Sequence, residues 1–291
     1  MTYKYLVKDR ITFYWRYFGL KVFYLWFEVK RPKLRMFTYE MIYSANKLVD
    51  PKSLFPSPFN TDFVETVFGK FRIRPGTVDM SNVSPAYERG DLDYTLKIIG
   101  EKHREGKRIL FLDIGADLGT FSVAAGRRFK HTGDLNIVAF EPEESSFALL
   151  RENLLLNKIE SLCETHNFAL YSEDKQVMFY SNAKAPGSSG IKTSCIGQGQ
   201  AHRKVQARTL DSVIGERAKD YDIIFFKIDV EGVEVDVLKG AEQVLNSGKE
   251  IFMVVEDFVN PEIIVFMDKL GAEFIRKITP YNSWWKYTAK S

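Results

Sequence analysis

Apolar and polar positions along this chain fall into repeating blocks. From residue 108, short apolar runs at 109–114, 136–140, 222–229 and 250–256 alternate with helically spaced stretches at 118–129, 144–156 and 234–246. Apolar runs of that length, flanked by turn-forming residues, read as buried strands. Alternation of strand and helix predicts an α/β fold: a mostly parallel sheet with helices on both faces. Three further β-like runs, 162–167, 175–181 and 204–209, interrupt the rhythm, and the last two flank a polar loop from Asn182 to Arg203. Upstream, DFVETVFGKFRIRP reads as a β-hairpin turning at Gly69-Lys70, with a helix following near 91–102. At the far end, EFIRKI and WWKYT flank the turn Pro280-Tyr281-Asn282-Ser283, which predicts an antiparallel C-terminal hairpin.

The first 60 residues depart from this rhythm. Residues 11–29, ITFYWRYFGLKVFYLWFEV, hold nine aromatic side chains. On a helical wheel Lys4, Lys8, Thr12, Arg16 and Gly19 form one narrow polar stripe. Residues 1–35 carry nine Lys or Arg against Asp9 and Glu28, a net of +7 in a chain of 291 residues that totals +3. The head is therefore basic and the body mildly acidic. A spanning helix is disfavoured by Arg16 and Lys21 near mid-bilayer, and a signal peptide by the lack of a small-residue cleavage site. Two readings of residues 1–35 stay open: packing on the protein itself or a second subunit, and attachment to an anionic membrane surface. The proline-rich DPKSLFPSPFN then reads as a linker, so residues 1–60 form an aromatic-basic extension and 61–291 the main domain. Two cysteines, Cys163 and Cys195, suit a reducing, cytoplasmic setting, peripheral to the inner face of a membrane if the head attaches there. No zinc-ligand spacing occurs, and the acidic body argues against a nucleic-acid partner.

Candidate chemistry begins at FLDIGADLGTF, an apolar strand entering a glycine-studded turn. In open α/β sheets ligands sit outside the carboxyl ends of the strands, at the first such turn. A dinucleotide turn is G-x-G-x-x-G and places pyrophosphate on the helix N-terminus. Here Ala116 stands where the middle glycine is needed, and Asp113 and Asp117 would repel phosphate. S-adenosylmethionine carries no phosphate and two positive centres, so carboxylates help it. Glu141, at the end of the second strand in IVAFEP, suits the two ribose hydroxyls.

A third constellation lies in FFKIDVEGVEVDVLKGAE. Strand alternation puts Lys227 and Asp229 on one face, with Glu231 just beyond the strand end. The alternative is that Asp229 and Glu231 cap the next helix. FMVVED places Glu256 at the end of the neighbouring strand.

DIGADLG, AFEPEESSFALLRENLLLN, THNFAL, TLDSV, KIDVEGVEVDVLKGAE and VVED, in that order, resemble the motifs of the FkbM-like methyltransferase family over roughly residues 62–260. That resemblance implies a Rossmann-like methyltransferase fold with an antiparallel last strand, and S-adenosylmethionine as cofactor. It implies O-methylation, with a small-molecule, glycan or glycolipid hydroxyl as acceptor. In that family the turn usually reads Gly-Ala-Asn; this chain carries Asp117 there. The expected cofactor contacts are Asp113, Gly115, Ala116, Asp117, Gly119, Glu141, Pro142 and Asp229, with Asn167 and Ala169 near the adenine beside His166. Methyl transfer is an in-line displacement, and a hydroxyl acceptor must give up its proton to a base within hydrogen-bond reach. Asp229 and Glu231 are the expected bases, with Lys227 orienting them or stabilising a developing oxyanion, and His166 is the alternative base. No metal is expected. Two rivals remain: a magnesium site built from Asp229, Glu256 and Asp257, as in catechol-type enzymes, and a non-catalytic module that binds membranes or partners.

Overall fold

The computed structural model describes residues 61–84, 88–183, 185–191, 201–258, 260 and 262–289. Both readings of the 1–60 head lie outside the described residues.

The described chain opens with an antiparallel hairpin, β1 (Phe63–Glu65) and β2 (Lys70–Arg72). Its turn is Thr66–Gly69, centred two residues before the expected Gly69-Lys70. The Thr66 Oγ1 accepts from the backbone N–H groups of Phe68 and Gly69, and Thr66 N–H closes on the Gly69 carbonyl at 2.8 Å. A one-turn helix at Asp79–Asn82 follows, then α1 (Arg89–Arg104).

The alternating region runs β3 (Ile109–Ile114), α2 (Thr120–Phe129), β4 (Leu135–Phe140), α3 (Glu144–Leu156) and β5 (Cys163–His166). A small three-stranded sheet interrupts it: β6 (Ala169–Leu170), β7 (Lys175–Ser181) and β8 (Ala201–Arg208), in the order β6-β8-β7. The main sheet then resumes with β9 (Ile223–Ile228), α4 (Glu234–Lys239), β10 (Glu250–Glu256), α5 (Glu262–Leu270), β11 (Glu273–Lys277) and β12 (Asn282–Tyr287). Its order is β11-β12-β10-β9-β3-β4-β5, with β12 antiparallel to both neighbours and the remaining pairs parallel. The strand order reverses beside β3, which sets the ligand crevice at the carboxyl ends of β3, β4 and β9.

The expected helix at 234–246 breaks in two at Gly240. A side chain there would meet the Tyr171 carbonyl oxygen at 2.1 Å, and the second piece, Glu242–Leu245, has its own cap. The Asp211 carboxylate accepts from the N–H groups of Gln243 and Val244 at 2.8 and 3.0 Å.

Alternate strand residues face opposite layers, as the pleat requires. Phe111, Ile137, Phe225 and Val254 pack with Leu96, Phe121, Leu150 and Trp284 on the side of α1, α2 and α3. Leu112, Val138, Phe226 and Met253 pack with Val237, Val244, Ile263 and Met267 on the other. The leading hairpin docks through two asparagines of the α3 segment. Asn153 Oδ1 accepts from Arg72 N–H at 2.6 Å while its Nδ2 donates to the Leu118 carbonyl at 3.0 Å; Asn157 grips the Lys70 backbone. Asn153 thereby ties hairpin, helix and glycine turn together. Among the described residues no helix is long and apolar enough to cross a membrane.

Candidate active site

The turn after β3 is drawn against the sheet. Gly115 and Ala116 N–H groups both donate to the Phe140 carbonyl at 3.0 Å, and Asp229 N–H donates to the Ile114 carbonyl at 3.1 Å. Gly115 has φ +76, and a Cβ there would lie 1.8 Å from the Asp229 carbonyl oxygen. Only glycine fits both demands. Asp117 (φ 45) and Gly119 (φ 81) complete the left-handed bends that lead into α2.

A crevice opens beside this turn. Of the expected cofactor residues, Gly115, Asp117, Glu141, Pro142, Ala169 and Asp229 line it. Asp113, Ala116, Gly119 and Asn167 do not. Asp113 is buried beneath the turn, where its Oδ2 accepts from the Ser122 hydroxyl at 2.6 Å and the Ser122 N–H at 3.1 Å. Asn167 acts from behind, its Nδ2 donating to the Glu141 carbonyl at 2.8 Å. The stretch Pro186–Ser189, within the polar loop, also lines the crevice through Pro186, Gly187 and Ser189. His166 stacks on Phe140 with centroids 5.2 Å apart and shares a hydrogen bond with Glu164, turned from the carboxylates at the mouth.

Glu141 is buried with both oxygens held. Oε1 takes the Glu143 N–H at 2.7 Å and Oε2 the Asp117 N–H at 2.8 Å, which leaves each oxygen a second lone pair. Burial, then repulsion from Asp117, pushes its carboxyl up to about 8. Asp117 itself is fully engaged: Arg74 at 3.3 Å and Ser146 at 2.8 Å on Oδ1, Asn82 at 3.0 Å on Oδ2. Arg74 also pairs with the buried Asp79 at 2.7 Å. Arg74, Asn82 and Ser146 were invisible as site residues in sequence, since nothing local marks them.

At the mouth, Lys227 Nζ donates to the Gly115 carbonyl at 2.8 Å and pairs with Asp229 Oδ2 at 3.3 Å. Burial works against its charge, but Asp229, Asp113 and Glu88 more than offset that and raise its pKa. Asp229, Glu231 and Glu256 each offer an oxygen within 4.8 Å of the others. Burial and then Asp229 push Glu231 up to about 8. The same two causes, in that order, raise Glu256, whose Oε2 is buried without a hydrogen bond. Asp257, expected beside Glu256 in the magnesium reading, turns away into an ion pair with Lys277. Glu231 takes its place in the cluster because Glu231 (φ 57) and Gly232 (φ 101) curl the chain back after β9.

The crevice suits a cation-bearing nucleoside better than a pyrophosphate. Its described lining contains Asp117, Glu141 and Asp229 and no lysine or arginine. Residues 113–274 match the profile of the methyltransferase FkbM domain. The chain belongs to that family. Arg74, Asn82, Glu88 and Asn282 all lie outside the stretch that matches the FkbM profile. A curated relative, Methyltransferase 1 of Beauveria bassiana (strain ARSEF 2860), is 26% identical over 147 residues, covering 45% of this chain. The chain spans 57% of that relative's length. Similar solved structures include ribosomal protein L11 methylase from Lactobacillus delbrueckii subsp. bulgaricus, at 13% identity and TM-score 0.39, covering 67% of this chain and 77% of that one. A SAM-dependent methyltransferase from Agrobacterium tumefaciens aligns over 82% of this chain and 73% of that one, at 10% identity and TM-score 0.42.

Proposed function

We propose that this protein methylates a hydroxyl oxygen on a sugar, glycolipid or related metabolite. The observation that carries this reading is the mouth cluster: Asp229, Glu231 and Glu256 beside the buried Lys227, against the Gly115 turn. When bound, S-adenosylmethionine supplies a methyl group on a positively charged sulfur. Glu141 would hold the ribose hydroxyls on its free lone pairs, with Asp113 and the Gly115–Gly119 turn shaping the backbone beside it. Pro142 and Ala169 would frame the adenine, with Asn167 holding the Glu141 carbonyl from behind. Asp229, fixed by Lys227, and Glu231 would face the acceptor and orient its hydroxyl. The Pro186–Ser189 stretch keeps water out. A labelled-methyl assay against fractionated cell glycans and lipids tests the reading; label appearing only in protein or RNA would refute it.

The three-carboxylate cluster favours one second reading, in which a divalent cation brings acceptor oxygens into line. Activity lost on EDTA and restored by Mg²⁺ would establish it. The basic, aromatic head would serve self-association or packing on the protein itself, or attachment to an anionic membrane surface at the cytoplasmic face. Co-sedimentation of the full chain with anionic vesicles, lost on deleting residues 1–35, would establish attachment; a change in oligomeric state alone would make the head an assembly element.

A further inference from the structure

We propose that Glu88, from the segment ahead of the family domain, is a catalytic carboxylate that takes the proton of the acceptor hydroxyl, and that Asn282 positions it. The proposal rests on the methyl-transfer reading above. Neither residue belongs to the 113–274 stretch that matches the family, yet the fold brings both to the same rim.

Glu88 is the residue just before α1, and its φ of +43 is a left-handed conformation that non-glycine residues avoid. Strain of this kind persists where the surroundings fix it, and it gathers at working sites. What fixes it is a chain of buried partners. Glu88 Oε1 accepts from Asn282 Nδ2 at 3.0 Å, and the same Nδ2 donates to Asp91 Oδ2 at 3.0 Å. Asp91, wholly buried, also takes Trp284 Nε1 and the Thr279 hydroxyl, each at 2.6 Å. Asn282 opens β12 directly opposite Glu256 of β10. The Glu88 carboxyl is thereby carried to the carboxyl end of the sheet, beside Glu256 and the Lys227–Asp229 pair.

The other acids on this rim suit the task less well. Asp229 is tied to Lys227 at 3.3 Å, and Glu231, like Glu256, is raised by burial and by the Asp229 charge. Glu88 is half-buried and faces Asp229 and Lys227 from β9, Asp91 from α1 and Glu256 from β10. Burial and then Asp229 raise it to about 7, with Lys227 and the Asn282 bond pulling the other way. A base titrating near neutrality is the most effective one at neutral pH. In the step itself the acceptor oxygen gains the methyl group and its O–H proton passes to the Glu88 carboxylate. The C–S electron pair stays on sulfur, and the proton then leaves Glu88 for water.

Two measurements on the full chain decide it. In carboxyl-labelled NMR, a glutamate titrating near pH 7 should vanish in Glu88→Gln and move to higher pH in Asn282→Ala, or in Asn282→Ser should the alanine variant not fold. In the labelled-methyl assay on the fraction that the wild type methylates, Glu88→Gln should cut turnover by ~10²-fold or more while S-adenosylhomocysteine affinity holds. The Asn282 variant should shift the acidic limb of kcat/KM in step with the NMR titration. Glu88 titrating as an ordinary glutamate, or Glu88→Gln keeping wild-type turnover and acidic limb, overturns the proposal. A wild type that methylates no fraction overturns the functional reading and this inference with it.

Discussion

Glu141→Gln should separate stability from binding, with opposite signs. The wild-type carboxyl rises from its ordinary 4.5 to about 8 on folding, because burial and the Asp117 charge disfavour its ionised form. The folded state therefore holds the proton more tightly than the unfolded one. Wild-type stability from this group is fully present below about pH 4.5 and is lost as pH climbs to about 8. A span of about 3.5 pH units, at about 1.4 kcal/mol each, sets a ceiling of about 5 kcal/mol on that loss. Glutamine does not titrate and escapes it. It has its own cost, since one of the Asp117 and Glu143 N–H groups must face an amide nitrogen, at about 1–3 kcal/mol. The variant should thus be the less stable protein at pH 5 and draw level with or pass the wild type by pH 8. Limbs from Glu231, Glu256 and Glu88 are common to both proteins and cancel in the difference. Urea denaturation at four pH values reads the crossing. Calorimetry with S-adenosylhomocysteine above pH 8, where the wild-type carboxyl is ionised, should show affinity about 5- to 150-fold weaker, the loss of hydrogen bonds to a charged acceptor. Stability curves that run parallel from pH 5 to 8 would refute the assignment of the raised pKa, and unchanged affinity would remove Glu141 from the ribose.

Three further substitutions probe other parts of the site. Gly115→Ala forces a methyl group to 1.8 Å from the Asp229 carbonyl at φ +76, so it should cost roughly 3 kcal/mol or more and abolish cofactor binding; a normal melting temperature would count against the close approach. Glu231→Gln should lower turnover ~10²-fold or more with cofactor affinity nearly intact, whereas a lower melting temperature with normal turnover would make Glu231 a helix cap. Arg74→Ala strips the counter-ion from the wholly buried Asp79 and should destabilise the fold by about 3–5 kcal/mol in denaturant titration; a change below about 1 kcal/mol would show the pair to be dispensable.

The sheet was legible because its signal is local. β3, β4, β9 and β10 are continuous apolar runs, and their residues alternate between two buried layers, so period and length alone identify them. The crevice was legible for the same reason, since Glu141 and Asp229 stand at strand ends by position. Asp113 shows where the reasoning stopped. It shares a pleat face with Phe111 and Lys227, which points it at α2, and the Ser122 hydroxyl and N–H receive it there instead of ligand. Which helix residue would meet it depends on how α2 packs, and no sequence spacing gives that. Arg74, Asn82, Glu88 and Asn282 were hidden for a related reason. Their partners lie 35 to 194 positions away, so only the closed fold brings them to the site.

That distribution has a physical logic. The crevice and its mouth gather Asp117, Glu141, Asp229, Glu231 and Glu256, and within 113–274 the cation bound among them is Lys227, held by Asp229 and the Gly115 carbonyl. The partner that steadies Asp117 electrostatically is Arg74, delivered by the hairpin that Asn153 and Asn157 clamp to α3. The partner that steadies Glu88 is Asn282, delivered by a strand inserted between β10 and β11. The family stretch thus carries the crevice and the three carboxylates at its mouth. The flanks add a partner at each place, Arg74 beside Asp117 and Asn282 beside Glu88. On the proposed reading, the mouth is shared between the family stretch, through Asp229, Glu231 and Glu256, and the flanks, through Glu88 and Asn282.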